Sequence, residues 1–194
     1  MEIPLEALKL CVLVIVAIAT VTDLRSHKIP NWLTFNASLL GILAQAAYFA
    51  SFATPTDIYF RAGIGALNAV LGWLAGVFIM SSTKFFMRKF GHGDTKLVAA
   101  IGAFLGPGPV CIIYLYYSLV FGLFSLVQMI RAIPWHDMWM AAEARKAGVT
   151  PPALNMDNLN KIRKEIIPVG PFIAAGTVLS MIFEQQTLTF LGFD

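Results

Sequence analysis

An all-helical integral membrane protein with about six transmembrane helices in one bundle is the fold class this sequence predicts, and three observations lead there. Of its 194 residues 58% are hydrophobic and only 13% are charged, about half the charge of an ordinary soluble domain. The apolar residues fall into runs close to the ~20 residues a helix needs to cross a bilayer. The basic residues segregate: Arg25, Lys28, Lys84, Arg88, Lys89, Lys96, Arg131, Arg145, Lys146, Lys161, Arg163 and Lys164 fall in segments that a six-span topology puts on one side, against Lys9 and Arg61 on the other. Twelve against two is a strong positive-inside signal, so the first side is expected to be cytoplasmic.

Each element follows from local pattern. Span 1 covers about 4–22. Its front end carries Glu2 and Glu6 against Lys9, whereas a secretory signal wants a basic start, so an uncleaved first span with its amino end outside is expected. Asp23 to Pro30 form a loop, and Asn31 can cap span 2, about 31–53. Thr54-Pro55-Thr56-Asp57 read as a turn on the outer side. Span 3, about 59–82, carries Gly72 and Gly76, a Gly-x-x-x-Gly step that permits close helix contact. Span 4 runs from Asp94 to about Leu105, where Gly106-Pro107-Gly108-Pro109 stops it. It is too short to cross straight, so neighbours must shield it. Span 5 covers about 110–130. In the polar segment 131–166, Trp135, Met138, Trp139 and Ala142 recur at helical spacing opposite Glu143, Arg145 and Lys146. That pattern suits a helix lying in the interface and ended by Gly148, with loop over Pro151-Pro152 and 155–160. Span 6 is about 167–190. Both termini are then expected outside, and the chain is expected to form one domain, 1–194.

Composition also excludes. The basic loops lack the interleaved aromatic residues of a single-strand binder, so no nucleic-acid partner is expected. Cys11 and Cys111 lie inside apolar runs with no Cys-x-x-Cys and read as reduced, buried packing residues. His27 and His136 have no ligand-like companions, so no metal site and no cofactor are expected.

Two aspartates stand out, because ionisable groups at membrane depth are costly and usually functional. Asp23 follows the first apolar run, and Asp94 lies in Gly91-His92-Gly93-Asp94 at the start of another. The topology brings both to one face. Two carboxylates that share a site also share a proton: the ionised one can take a proton from water while the protonated one polarises a carbonyl. That is the logic of an aspartic peptidase. Gly91 and Gly93 allow close backbone approach, so a peptide strand can pass Asp94. The plainer reading of the same tetrapeptide is a turn in which Asp94 caps a helix.

At three places the chain resembles the type IV prepilin peptidases, membrane aspartic peptidases of the Gly-x-Gly-Asp kind. Asp23-Leu24-Arg25 with Ile29-Pro30-Asn31-Trp32-Leu33-Thr34 is similar to their first catalytic segment. Gly91 to Leu97, running into Ala99-Ala100-Ile101-Gly102-Ala103 and Gly106, is similar to their second. Ile167 to Gly176 is similar to their last-span signature. The resemblance implies an aspartic endopeptidase with catalytic Asp23 and Asp94 in a bacterial inner membrane. It implies removal of a short basic leader from pilin-like precursors at the cytoplasmic face, commonly after glycine and just before the pilin's apolar helix. Bifunctional members carry paired Cys-x-x-Cys motifs in a front insertion. Here they are absent, so the chain looks like a minimal member of the Flp/Tad pilus type and N-methylation is not expected.

Neighbouring residues stay open between roles. Lys96 can hold an acidic group of the substrate, tune an aspartate, or be a topogenic charge. Arg25 and Lys28 suit topology, and His92 suits a spacer position. Gly170 and Pro171 shape the start of span 6, and the resemblance implies that they help to wall the catalytic cleft. Glu184 is expected at the outer end of span 6, reaching the interface or pairing locally. A proton-coupled transporter or channel component could use the same two aspartates, although no duplicated halves with broken spans are evident.

Overall fold

The computed structural model describes residues 4–86, 91–148, 150, 167–190 and 192 of the chain. The basic positions Arg88 and Lys89 and the expected loop over 151–166, with Lys161, Arg163 and Lys164, lie outside the described residues, as does the side chain of Lys84. Among the described residues every regular element is a helix: α1 (Leu5–Ser26), α2 (Asn31–Ser51), α3 (Ile58–Phe86), α4 (His92–Leu105), α5 (Pro107–Ala132), α6 (Trp135–Lys146), α7 (Gly170–Ile182) and α8 (Glu184–Phe190). Four of them (α1, α2, α3 and α5) are long and apolar enough to cross a membrane.

The chain divides into two compact units, one made of Met1–Val120 with Pro168–Asp194 and one of Phe121–Ile167. In the first unit the organising element is α4. Eleven of its fourteen residues are buried, the expected state of a helix that is apolar on all sides. Alanine and glycine let its neighbours come close. A Cβ on Gly72 of α3 would run into the Gly102 backbone, and one on Gly76 would lie 2.8 Å from Ala99 Cα. The Gly-x-x-x-Gly step is therefore a packing face against α4. On the opposite flank Gly41 of α2 presses on Ala103 and Phe104, with 2.9 Å to a would-be Cβ.

The last carbonyls of α4 have no partner within the helix, and a buried carbonyl left unsatisfied is costly. Gln45 of α2, 2% exposed, donates its Nε2–H to the Phe104 carbonyl at 2.6 Å. Gly106 takes a left-handed φ of 86° and returns its N–H to Gly102 O at 2.8 Å. The side chain of Asn68 fills the space where a Cβ on Gly106 would sit. These polar groups shield the short helix, as its length requires.

α1 and α7 pack together and run antiparallel. At one end Lys9 pairs with Glu184 at 2.8 Å, and at the other Asp23 meets Gly170 at 2.7 Å. Glu184 thus pairs with a residue 175 positions away rather than locally.

Other expectations are corrected. Pro30, not Asn31, is the N-cap of α2, and no side chain caps that end. The Asn31 carboxamide oxygen instead accepts from Lys96 Nζ at 2.8 Å. The run expected as one span over 167–190 is two helices of 13 and 7 residues, α7 and α8, which meet at Phe183. Cys11 and Cys111 are free thiols but exposed on the protein surface, not buried. Apolar side chains on the outside of a bundle meet lipid tails, so hydrophobicity there does not require burial against protein. The turn at 54–57 is present, held by Asp57 N–H to Thr54 O at 3.0 Å.

In the second unit α6 has twelve residues, and Gly148 follows its end with φ 70°. Trp135, Met138 and Trp139 are exposed there.

Candidate active site

Both aspartates are buried to the same degree, 6% exposed each. Asp23 sits in the last turn and a half of α1, where its main-chain carbonyl accepts the N–H of His27, the left-handed residue that ends the helix. Its carboxylate reaches out of its own helix. Oδ2 accepts the N–H of Gly170 at 2.7 Å. Gly170 is the first residue of α7, and the leading N–H groups of a helix have no partner within it. One turn back on α1, Thr20 Oγ1 donates to the Gly170 carbonyl at 3.3 Å. Both main-chain polar groups of Gly170, in two successive peptide groups, are thus bonded to side chains of α1.

Asp94 is held locally. It is the third residue of α4, with Gly91 as N-cap, and its Oδ2 accepts the Gly91 N–H at 3.1 Å. This is the backward half of a capping box, so the plainer reading of Gly91-His92-Gly93-Asp94 holds as local geometry. A capping role does not exclude chemistry at the same carboxylate. Tyr117 on α5, 3% exposed, lies within electrostatic reach of Asp94.

The two aspartates come to the same end of the first unit. The Cβ position of Gly93 lies 3.1 Å from Ile29 Cβ, so the loop after Asp23 rests against the start of α4. Lys96 and Asn31 tie the same two segments together. The missing side chain of Gly93 makes room for Ile29, and Gly91 is exposed. Arg25, Lys28, His92 and Lys96 are exposed around this end. A groove of about 630 Å³ opens beside it, walled by apolar residues such as Phe35, Leu39, Ile42 and Trp73, with Asn31 and Lys96 among its polar lining. Among the described residues no group of His, Cys, Asp and Glu side chains could hold a metal ion.

The model of the type IV leader peptidase family matches residues 10–126. This chain belongs to the type IV leader peptidase family. No curated protein and no solved structure matches it. As a type IV leader peptidase it is a protease, a hydrolase, whose substrates are in general pilin-like precursors. Its apolar helices fit a membrane protein. Family membership gives the transporter alternative no support. The matched stretch contains both aspartates, Gly91, Gly93 and Lys96, but stops well before Gly170. The sequence reads Gly170 as shaping a span start and helping to wall the catalytic cleft, with no partner named, and gives Thr20 and Tyr117 no role. Each acquires its neighbour through packing.

Proposed function

We infer that this leader peptidase is an aspartic endopeptidase in which Asp23 and Asp94 together hydrolyse the leader–pilin peptide bond at the cytoplasmic membrane face. The observation that carries the reading is the pair of buried carboxylates delivered to one end of the first unit by helices far apart in sequence. One carboxylate takes a proton from water as the water oxygen attacks the scissile carbonyl carbon. The other gives its proton to the carbonyl oxygen. The tetrahedral diol then gives one hydroxyl proton back to the carboxylate that had donated, the C–N bond breaks, and the departing amine takes the proton that the other carboxyl group had drawn from water. Burial supports this chemistry, since a water-poor site strengthens each electrostatic contact.

The groove between α2 and α3 supports a place for the apolar segment of the precursor, and Lys96 among its polar lining supports a substrate-facing role for that cation. The exposed Gly91 supports passage of an extended strand close to Asp94. The precursor is assigned to the Flp type and the membrane to a bacterial inner membrane, with both termini outside. Six crossings include the short α4 and a last crossing by α7 with α8, and α6 lies in the cytoplasmic interface. The whole chain acts as one peptidase domain.

The direct test reconstitutes the purified protein with a Flp-type precursor and weighs the products. Release of the basic leader, with the cut just before the apolar helix, is expected. An intact precursor, together with solute or proton flux through the same vesicles, would overturn the reading.

A further inference from the structure

We propose that the main chain of Gly170 is the positioning element for Asp23: its N–H holds the carboxylate, and its carbonyl is held by Thr20 on the same face of α1. The proposal rests on the reading that Asp23 is catalytic. Its evidence is separate from the family match, which ends before α7.

Gly170 N–H donates to Asp23 Oδ2 at 2.7 Å in a buried setting. A bond from a main-chain amide to a carboxylate is short and directional. Among the described residues it is the hydrogen bond recorded for this side chain. The Gly170 carbonyl accepts from Thr20 Oγ1. Residues 20 and 23 stand on the same face of a helix, one turn apart. The two bonds therefore tie the two peptide groups that flank residue 170 to α1 and hold the start of α7 against it. In return the amide fixes the Asp23 carboxylate and leaves its second oxygen to face a reacting water.

The glycine is needed for space. A Cβ at residue 170 would lie 3.0 Å from Asp23 Oδ2 and 3.1 Å from Asp23 Cβ. Contacts this short are tighter than most that real Cβ atoms make, so the neighbour must give by a few tenths of an ångström, and both atoms belong to the side chain that must be placed. Any larger residue at 170 pushes the carboxylate away from its donor. Displacement of a reacting group by about 1 Å can cost on the order of 10²-fold in rate.

The test measures kcat and KM for precursor cleavage in six altered forms of the protein, beside wild type. Gly170→Ala should lower kcat on the order of 10²-fold with KM unchanged. Thr20→Val, which loses only the hydroxyl, should lower kcat about tenfold, a loss of about one hydrogen bond's worth of positioning. Thr20→Ser should restore it. Gly63→Ala serves as the neutral control, since nothing lies within 4 Å of its would-be Cβ. An amide-to-ester replacement at residue 170 removes the N–H without adding a side chain, and should lower kcat even if Gly170→Ala fails to insert. Wild-type kcat in the ester and Thr20→Val proteins would overturn the proposal, as would losses expressed only in KM. Asp23→Asn run in parallel separates the two levels: normal processing by it would sink the catalytic reading itself, whereas a dead Asp23→Asn beside a fully active ester protein would sink the positioning role alone.

Discussion

Asp23 and Asp94 are buried alike, and each gives its Oδ2 to the amide of a glycine. They differ in where that glycine comes from. The donor to Asp94 is three residues away, in the same helix start. The donor to Asp23 is 147 residues away, on the last long apolar segment. One acid is placed by local helix chemistry and the other by tertiary packing. The comparison teaches that the two halves of a catalytic pair can have unequal dependence on the rest of the fold. The Gly91 bond ties Asp94 to the start of α4, while the Gly170 bond ties Asp23 to the docking of α1 and α7.

Loss of either acid is the largest expected effect, and here the two should be equal. Asp23→Asn and Asp94→Asn should each lower cleavage at least about 10³-fold, within the usual range for a removed acid or base. Both proteins should still insert. Inequality appears one step out. A Cβ on Gly91 would lie 3.2 Å from Asp94 Oδ2, and the next contact, Asp94 Cγ, is at an ordinary 3.9 Å. Gly91 is also exposed, so the side chain has room to shift. Gly91→Ala should therefore cost about tenfold in kcat, some 1.4 kcal/mol of barrier, against the hundredfold expected for the buried Gly170. Equal losses from the two alanines would break the contrast.

Stability effects sharpen the same contrast. Gln45→Leu should leave the Phe104 carbonyl without its side-chain donor and cost about 1–3 kcal/mol, read as a lowered unfolding midpoint in detergent. Because α4 carries Asp94, cleavage should be lost at lower temperature without a change in the preferred cut site. The Lys9–Glu184 pair stands at the far end of the α1–α7 contact from Asp23. Its side chains are 18% and 28% exposed, and pairs with access to solvent contribute roughly 0–1 kcal/mol. Lys9→Met should thus be the mildest of these changes, with a small fall in midpoint and nearly normal kcat.

Much of this fold could be read from residue order. The four long helices, the short buried α4, a close-packing face at Gly72 and Gly76, and the stop at Gly106 all follow from length, glycine spacing and proline placement, whereas the choice of α4 as the partner of that face does not. Asp23 and Asp94 stand out because charge is rare in such runs. What escaped was set by partners far along the chain. Glu184 looked solitary because Lys9 lies 175 positions before it. Asn31 looked like a cap because the pull of Lys96 on its side chain is invisible in a local window. The break at Phe183 carries no proline or glycine, so an apolar run read as one span became two helices. Gly170 looked like an ordinary helix start because its role depends on the carboxylate it faces.

The central claim is that both acids act in one hydrolysis. Side-by-side incubation of wild-type, Asp23→Asn and Asp94→Asn enzymes with the same precursor, read by product mass, tests it most directly. Leader release by the wild type and by neither variant is the expected result; a correctly cut pilin from either variant would contradict it.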